Sequence, residues 1–164
     1  MTEEWIINTA NFGITRFHKN VIDRLCEFRQ LKNNQLESGG VLIGKHLSLG
    51  NTILVDDITT PQQTDKQERH SYYRSEIHSE IIHGLWEQSN GHSTYVGLWH
   101  THPEPYPNFS LVDRKDWLTA LKNSHYEGSK LFFIIVGQKC IRCWGGIKKK
   151  VKFKIELLGE YQIE

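Results

Sequence analysis

The sequence predicts an α+β fold, an α/β sandwich in which a mixed central β-sheet is flanked by about three helices. Two observations predict it. Stretches with apolar residues at helical spacing alternate along the chain with short runs rich in β-branched and aromatic residues. At 164 residues the chain is long enough for one hydrophobic core, and no stretch resembles a linker. We therefore expect one domain spanning residues 1–164.

The first two helices are predicted from apolar residues that recur every three or four positions. One helix spans residues 17–31, ahead of a glycine-rich turn. The other begins at Ser75 and ends near Gly91. The predicted buried faces consist of Phe17, Val21, Leu25, Phe28 and Leu31 in the first helix, and of Ile77, Ile81, Leu85 and Trp86 in the second.

The strands are predicted from runs of β-branched and aromatic residues bounded by turns. Gly39–Leu47 and Thr52–Ile58 form a β-hairpin, and the polar residues 60–74 are predicted to be loop. Residues 94–100 form the next strand, in which Gly97 indicates a close approach of two backbones. Three strands complete the chain, and the first of them is nearly all apolar and is expected near the centre of the sheet. They span residues 131–136, 140–144 and 151–158.

The third helix follows a loop that holds three of the chain's four prolines, between residues 103 and 107. These prolines favour a stiff, extended backbone. Ser110 is expected to cap the helix, with Asp113 at the capping-box position that Glu or Gln usually occupies. The predicted buried stripe of this helix is Leu111, Trp117, Leu118 and Leu121.

His100, His102 and Asp113 have the spacing of metal ligands. The two histidines are separated by one residue at the end of a predicted strand, so their side chains point the same way. Asp113 can return to the same point from the first turn of the third helix, a position where its charge also complements the helix dipole. Three protein ligands leave the fourth zinc position to water, which is typical of a catalytic site. The other histidines lack such neighbours and are expected to be structural or surface residues: His18, His46, His70, His78, His83, His92 and His125.

A hydrolytic zinc site also needs a group that takes a proton from water and gives one to the leaving amine. Glu37, in the run Leu36-Glu37-Ser38-Gly39-Gly40, is the candidate. Taken alone, a glutamate before two glycines is more often the end of a loop. The glycines themselves would let a strand begin close beside another backbone.

Together, Glu37-Ser-Gly-Gly, His100-Thr-His102-Pro and Ser110-x-x-Asp113 resemble the JAMM motif of JAB/MPN metalloproteases, and the order of elements is similar over nearly the whole chain. The resemblance implies the JAB/MPN fold, which is cytidine-deaminase-like. It implies one zinc ion held by His100, His102 and Asp113, with Glu37 as general acid and base. It also implies that Ser110 orients the water or steadies the oxyanion. The reaction implied is hydrolysis of an isopeptide or peptide bond after a ubiquitin-like tail.

The sequence around the motif is similar to the short bacterial JAB proteins of CBASS antiphage operons. The similar stretches run from Gly97 to Pro107 and from Asp113 to Trp117. This likeness implies a peptidase that removes a cGAS-like nucleotidyltransferase (CD-NTase) from conjugates formed through its C-terminus. An E1/E2-like conjugating enzyme would then be its functional antagonist. A protease that processes a ubiquitin-like or sulfur-carrier precursor, a DNA-associated JAB protein and a non-catalytic MPN binding module remain as alternatives.

A zinc deaminase is a further alternative, because the chain contains His102-Pro-Glu104 and Cys140-x-x-Cys143. Lys139 stands where that motif has proline, and the two cysteines lie in a strand-like segment. We therefore interpret both cysteines as small apolar side chains that pack in a strand.

Aromatic residues near the motif suggest a groove for an extended tail, which could bind by strand addition. Trp99, Tyr106 and Phe109 are the candidates, whereas Trp117 is expected in the core. The lysine-rich run 148–154 alternates like a solvent-facing edge strand.

The composition excludes strong electrostatic steering. Lysine and arginine total 20 against 19 acidic residues, a net charge of +1, so neither nucleic acid nor membrane is an expected partner. The start of the chain lacks the features of a signal peptide, and three cysteines fit a reducing compartment, which indicates a cytoplasmic protein.

Overall fold

An eight-stranded mixed β-sheet organises the computed structural model, which describes residues 4–47 and 51–164. Within these residues three helices and a separate two-stranded ribbon accompany the sheet, so the fold is of the α+β class that the sequence predicts. The helices are α1 (Lys19–Glu27), α2 (Ile77–Gln88) and α3 (Leu111–Asn123). The strands are β1 (Glu4–Thr9), β2 (Gly13–His18), β3 (Gly39–Leu47), β4 (Thr52–Ile58), β5 (Lys66–Gln67), β6 (Tyr72–Tyr73), β7 (Thr94–Thr101), β8 (Lys130–Val136), β9 (Cys140–Lys149) and β10 (Lys152–Gln162).

The strand order is β1-β2-β4-β3-β7-β8-β9-β10. Most neighbours are antiparallel, but β2 pairs with β4 and β7 pairs with β8 in parallel. The parallel pair β7 and β8 is connected by α3, because parallel neighbours need a crossover and cannot be joined by a tight turn. This crossover brings the start of α3 back to the end of β7.

Two apolar layers cover the two faces of the sheet, and β8 contributes to both. All six residues from Leu131 to Val136 are fully buried. Successive side chains alternate between the layers: Phe132, Ile134 and Val136 pack in the layer that contains α1. Leu131, Phe133 and Ile135 pack in the layer that contains Trp117 and Leu121 of α3. The strand is therefore buried on both faces in the interior of the sheet, as its apolar sequence predicts, and it stands sixth of eight in the strand order.

The prediction for residues 17–31 is partly wrong. The N-terminal hairpin of β1 and β2 was not predicted, and Phe17 belongs to β2, where it lies fully buried against Trp5 with ring centroids 4.9 Å apart. The helix begins at Lys19 and ends at Glu27, which leaves Leu31 outside it and 56% exposed. Strand pairing of β2 with β4 overrides the helical spacing that Phe17 shares with α1.

Other element boundaries also differ from prediction. The predicted loop 60–74 contains the short ribbon of β5 and β6, whereas β9 and β10 are both longer than predicted. The predicted strands β3 and β4 are present, and their connection at residues 48–50 lies outside the described residues. Leu111 is 88% exposed and does not belong to the buried stripe of α3, while Trp117 and Leu121 do. In α2, Trp86 is 47% exposed, and the helix packs on the core through Ile82 and Leu85.

The last strand has the predicted character of an edge. Strand β10 stands at the end of the sheet order, and the lysines of the run 148–154 are all exposed. Lysines on an edge strand discourage pairing with another chain. In the part of the chain that the structure describes, none of the helices is both long enough and apolar enough to cross a bilayer.

Candidate metal centre

The two histidines reach one site because of where they lie on β7. His100 is the partner of Gly39 on β3, and His102 follows the last residue of the strand. The backbone N–H of His102 still donates to the carbonyl oxygen of Val136 on β8 at 3.0 Å, which keeps the extended alternation beyond the strand end. The two imidazoles therefore lie on one face, with ring centroids 4.9 Å apart.

Asp113 is placed by the cap of α3. Ser110 Oγ accepts from the backbone N–H of Asp113 at 3.0 Å, and Asp113 Oδ2 accepts from the backbone N–H of Ser110 at 2.8 Å. This is a reciprocal capping box with aspartate in the third position, so the predicted capping pair is present. Because both ends of the pair are bonded, the carboxylate is held facing the histidines.

The side chains of His100, His102 and Asp113 form a compact triangle, in which each carboxylate oxygen of Asp113 faces one histidine. Asp113 Oδ1 lies 3.1 Å from His100 Nε2, and Asp113 Oδ2 lies 3.1 Å from His102 Nε2. The two Nε2 atoms are also 3.1 Å apart. Tetrahedral zinc with bonds of roughly 2.0–2.1 Å requires ligand atoms about 3.3 Å from one another. Two imidazole nitrogens and the carboxylate group of Asp113 at these separations fit a zinc ion.

Burial and neighbouring charges set the protonation states of these side chains. Burial lowers the pKa of His100, and the nearby Asp113 offsets this only in part. Burial also acts to lower the pKa of His102, but Asp113, Glu37 and Glu104 together raise it. For Asp113, burial opposes ionisation, yet hydrogen bonds from both histidines bring its pKa below the ordinary range. Its carboxylate is therefore ionised at neutral pH, as a metal ligand must be.

Glu37 lies beside this triangle, just before β3. Its side chain is buried, and its carboxylate lies within 4.8 Å of a ring nitrogen of each histidine. Burial raises the pKa of Glu37 to about 8, although the neighbouring His102 acts against this shift. Both Glu37 and Asp113 are thus close enough to complete a set of three metal ligands. The 3.1 Å separations favour Asp113 for that role and leave Glu37 at the margin of the site.

The two glycines after Glu37 allow the close packing that the sequence suggested. A Cβ atom on Gly40 would lie 2.2 Å from the carbonyl oxygen of Thr59. A Cβ atom on Gly39 would lie 2.5 Å from the ring of Tyr72 and 2.7 Å from the carbonyl oxygen of Trp99. Neither position therefore has room for a side chain.

Comparison with known proteins gives the family. Residues 18–145 match the model of the prokaryotic homologs of the JAB domain. The chain belongs to this family. Relatives named CD-NTase/cGAS isopeptidase include one from Escherichia coli (strain TW11681), 37% identical over 144 residues, which are 87% of this chain and 86% of the relative. Those from Vibrio cholerae and Pseudomonas aeruginosa are 34% and 30% identical over 80% of this chain, and they are covered over 80% and 82% of their own lengths.

The predicted resemblance to bacterial JAB proteins is therefore confirmed. In this JAB-family chain the candidate metal centre lies in a cleft. His100, His102, Asp113, Glu37 and Ser110 all line one cleft of about 660 Å³. The cleft also contains residues that the sequence analysis did not identify as site residues, and half of those named here lie in the polar stretch that was predicted to be loop. These are Tyr72, Tyr73, Arg74, Pro103, Val112 and Asp116.

Trp99 requires a correction. Its side chain is fully buried, lies 5.3 Å from the ring of Phe28 between centroids, and donates from Nε1 to the carbonyl oxygen of Thr59 at 2.8 Å. It cannot line a groove, because it lies on the face of β7 opposite His100. Phe109 is half-buried and packs against Trp117, so most of its ring belongs to the core. Tyr106 is 52% exposed, and its contact with a tail stays a prediction.

The cysteines do not form a second metal site. Cys140 and Cys143 are buried in β9, three residues apart, so their side chains lie on opposite faces of the sheet. Burial raises the pKa of Cys140 to about 11, which opposes formation of the thiolate that binds metal. The deaminase alternative needs both cysteines as ligands beside a histidine, so the structure argues against it.

Proposed function

We propose that this chain is a zinc-dependent isopeptidase. It would cleave the bond after the C-terminus of a conjugated CD-NTase or ubiquitin-like protein, and so reverse E1/E2-type conjugation in cytoplasmic antiviral defence. The observation that carries the proposal is the triangle of His100, His102 and Asp113 with the buried Glu37 beside it. The names of the relatives support the nature of the substrate.

In the proposed mechanism His100, His102 and Asp113 would hold the ion in the cleft that they line. Zinc bound there would polarise an attacking water and the scissile carbonyl and would favour the ionised form of Glu37. Glu37 accepts a proton from the water while the oxygen of the water bonds to the carbonyl carbon. It then delivers that proton to the lysine nitrogen as the carbon–nitrogen bond breaks, so one carboxylate serves as base and then as acid.

Ser110 has a hydroxyl at the mouth of the cleft. Its oxygen accepts from the backbone N–H of Asp113, which leaves its proton free to be donated toward the cleft. We propose that Ser110 donates to the oxyanion that develops on the scissile carbonyl, an interaction whose loss typically slows such reactions by roughly 100- to 1000-fold.

The first prediction concerns Glu37. Glu37→Gln should lower kcat by at least about 100-fold, the usual effect of losing a general acid/base. Its zinc content should remain stoichiometric, because the triangle is intact. The measurement is cleavage of a purified CD-NTase–protein conjugate, together with elemental analysis of the enzyme. The exposed Glu80 provides the matched variant, Glu80→Gln, which should cleave at the wild-type rate.

His102→Ala tests the metal separately. It should lose both zinc and activity, since a ligand is removed. If His102→Ala retains zinc, the ligand assignment is wrong. If Glu37→Gln cleaves as fast as wild type, Glu37 is not the base. A wild-type enzyme that cleaves a sulfur-carrier precursor but not the CD-NTase conjugate would favour the processing alternative.

A further inference from the structure

A buried polar cluster beside the metal centre takes no part in the chemistry proposed above. It is centred on Asp65, whose side chain has no exposed surface. Its Oδ2 atom accepts hydrogen bonds from the backbone N–H of Gln62, from Tyr72 Oη and from His78 Nε2. Its Oδ1 atom accepts hydrogen bonds from the backbone N–H and from the hydroxyl of Ser75. Five donors thus surround a single buried charge.

The cluster also reaches the central sheet. His78 Nδ1 lies 2.6 Å from Thr59 Oγ1, and Thr59 Oγ1 accepts from the backbone N–H of Val41 at 2.8 Å. One arrangement of protons satisfies every member: Thr59 donates to His78, and His78 donates from Nε2 to Asp65. The cluster is therefore a continuous chain of hydrogen bonds from the loop before β5 to the backbone of β3.

The ribbon of β5 and β6 lies between this cluster and Glu37. Asp65 directly precedes the ribbon, and its partner Tyr72 lies in β6, so the cluster ties the two ends of the ribbon together. The ribbon and the residue after β5 in turn form hydrogen bonds with both the N–H and the carbonyl group of Glu37. The N–H of Glu37 donates to the carbonyl oxygen of Glu68 at 2.7 Å, and Gln67 Nε2 donates to the carbonyl oxygen of Glu37 at 3.1 Å.

We infer that Asp65 and Tyr72 are positioning residues for Glu37. By closing the base of the ribbon they hold Gln67 and Glu68 in register with the Glu37 peptide, and so they fix the carboxylate beside the metal centre. The inference rests on the proposed acid/base role of Glu37. Small displacements of a reacting group carry large rate effects, so a loosened ribbon should act mainly on kcat.

The test is Tyr72→Phe. This variant keeps the ring against Gly39 and removes one hydroxyl donor from Asp65. We expect kcat to fall about tenfold while KM and zinc content stay within a factor of two. Amide hydrogen exchange should quicken in the segment 36–40 and remain unchanged in β8. Gln67→Ala should reproduce the loss in kcat, because it removes the donor to the Glu37 carbonyl.

Tyr126→Phe is the matched control. Its hydroxyl also makes one hydrogen bond, to the carbonyl oxygen of Leu121 at 2.7 Å, but far along the chain from the ribbon. This variant should leave kcat and exchange in segment 36–40 at wild-type values. If both Tyr72→Phe and Gln67→Ala keep wild-type kcat and wild-type exchange in that segment, the inference is overturned.

A second comparison separates this inference from the proposed function. If Tyr72 acts through Glu37, combining Tyr72→Phe with Glu37→Gln should slow the residual reaction no further. An additional tenfold loss in the double variant would mean that Tyr72 acts on its own and would refute positioning. Wild-type activity of Glu37→Gln alone would instead refute the acid/base role, while exchange in segment 36–40 would still report whether the cluster orders the Glu37 backbone.

Discussion

At the scale of single residues, Glu104 shows how one local pattern can be misinterpreted. In the sequence it completes a His-x-Glu pair that suggests a deaminase. In the structure its carboxylate lies 2.7 Å from His102 Nδ1, on the side of the ring away from the triangle. A carboxylate in this position selects the tautomer whose Nε2 is free to bind metal, and it orients the ring. The His-x-Glu spacing therefore places Glu104 where it can orient the ring of His102.

This contact predicts that Glu104→Gln weakens zinc binding about tenfold, at the low end of the usual range because the Glu104 side chain is 48% exposed. Competition with a chelator of known affinity provides the measurement. His83 and Glu87 form a similar pair on α2 at 2.8 Å, away from the cleft, so Glu87→Gln should bind zinc as wild type does. Equal affinity of all three proteins would contradict the orienting role.

The three candidate metal ligands could be recognised in the sequence because every clue is local: a strand alternation, a cap and a short loop. The same strand alternation could also have excluded Trp99 from the site. A residue adjacent to His100 in a strand must point to the opposite face, away from a site that His100 faces. By contrast, nothing local links Asp65 to Tyr72 and His78, because their contacts depend on how the intervening ribbon folds.

At the scale of elements, the ribbon of β5 and β6 is the part that periodicity could not reveal. Each strand has two residues and few apolar side chains, so its pairing produces no pattern in the sequence. Its position depends on partners about 30 positions away, such as Glu37. The N-terminal hairpin was missed for another reason, because Phe17 fits a helical stripe and a buried strand equally well.

Glycines in two elements should respond oppositely to alanine. In β3, Gly40→Ala places a methyl group 2.2 Å from the carbonyl oxygen of Thr59, so we expect a loss of about 1–3 kcal/mol in the free energy of unfolding, or failure to fold. In α2, Gly84 has no neighbour within 4 Å, so Gly84→Ala should gain about 0.5–1 kcal/mol from helix propensity. Urea denaturation of the two variants measures both. A stable Gly40→Ala protein would show that Thr59 can move.

At the scale of the whole molecule, stability should depend on acid through Asp65. Burial opposes ionisation of Asp65, but the hydrogen bonds from Gln62, Tyr72, His78 and Ser75 outweigh it and lower the pKa well below the ordinary range. The unfolded chain, with an aspartate pKa of about 3.9, then binds the proton more readily than the folded one. This contribution to stability is therefore fully present above about pH 5 and is lost as pH falls further toward the folded pKa.

We expect the free energy of unfolding of the metal-free protein to fall between about pH 5 and pH 2, and to fall less steeply in Asp65→Asn. Asp23 is exposed, so Asp23→Asn should retain the wild-type dependence. Urea titrations at a series of pH values measure these slopes. Parallel curves for wild type and Asp65→Asn would exclude the carboxylate as a source of the pH dependence.

Strand β8 gives the molecule a further property. Its side chains contribute alternately to the two apolar layers, so each layer depends on the same strand. The metal centre lies at the end of β7, the parallel neighbour of β8, and His102 is bonded to Val136 at the end of that strand. A destabilising substitution in the layer beside α1 would therefore also disturb the candidate metal centre, although that layer lies on the opposite face of the sheet.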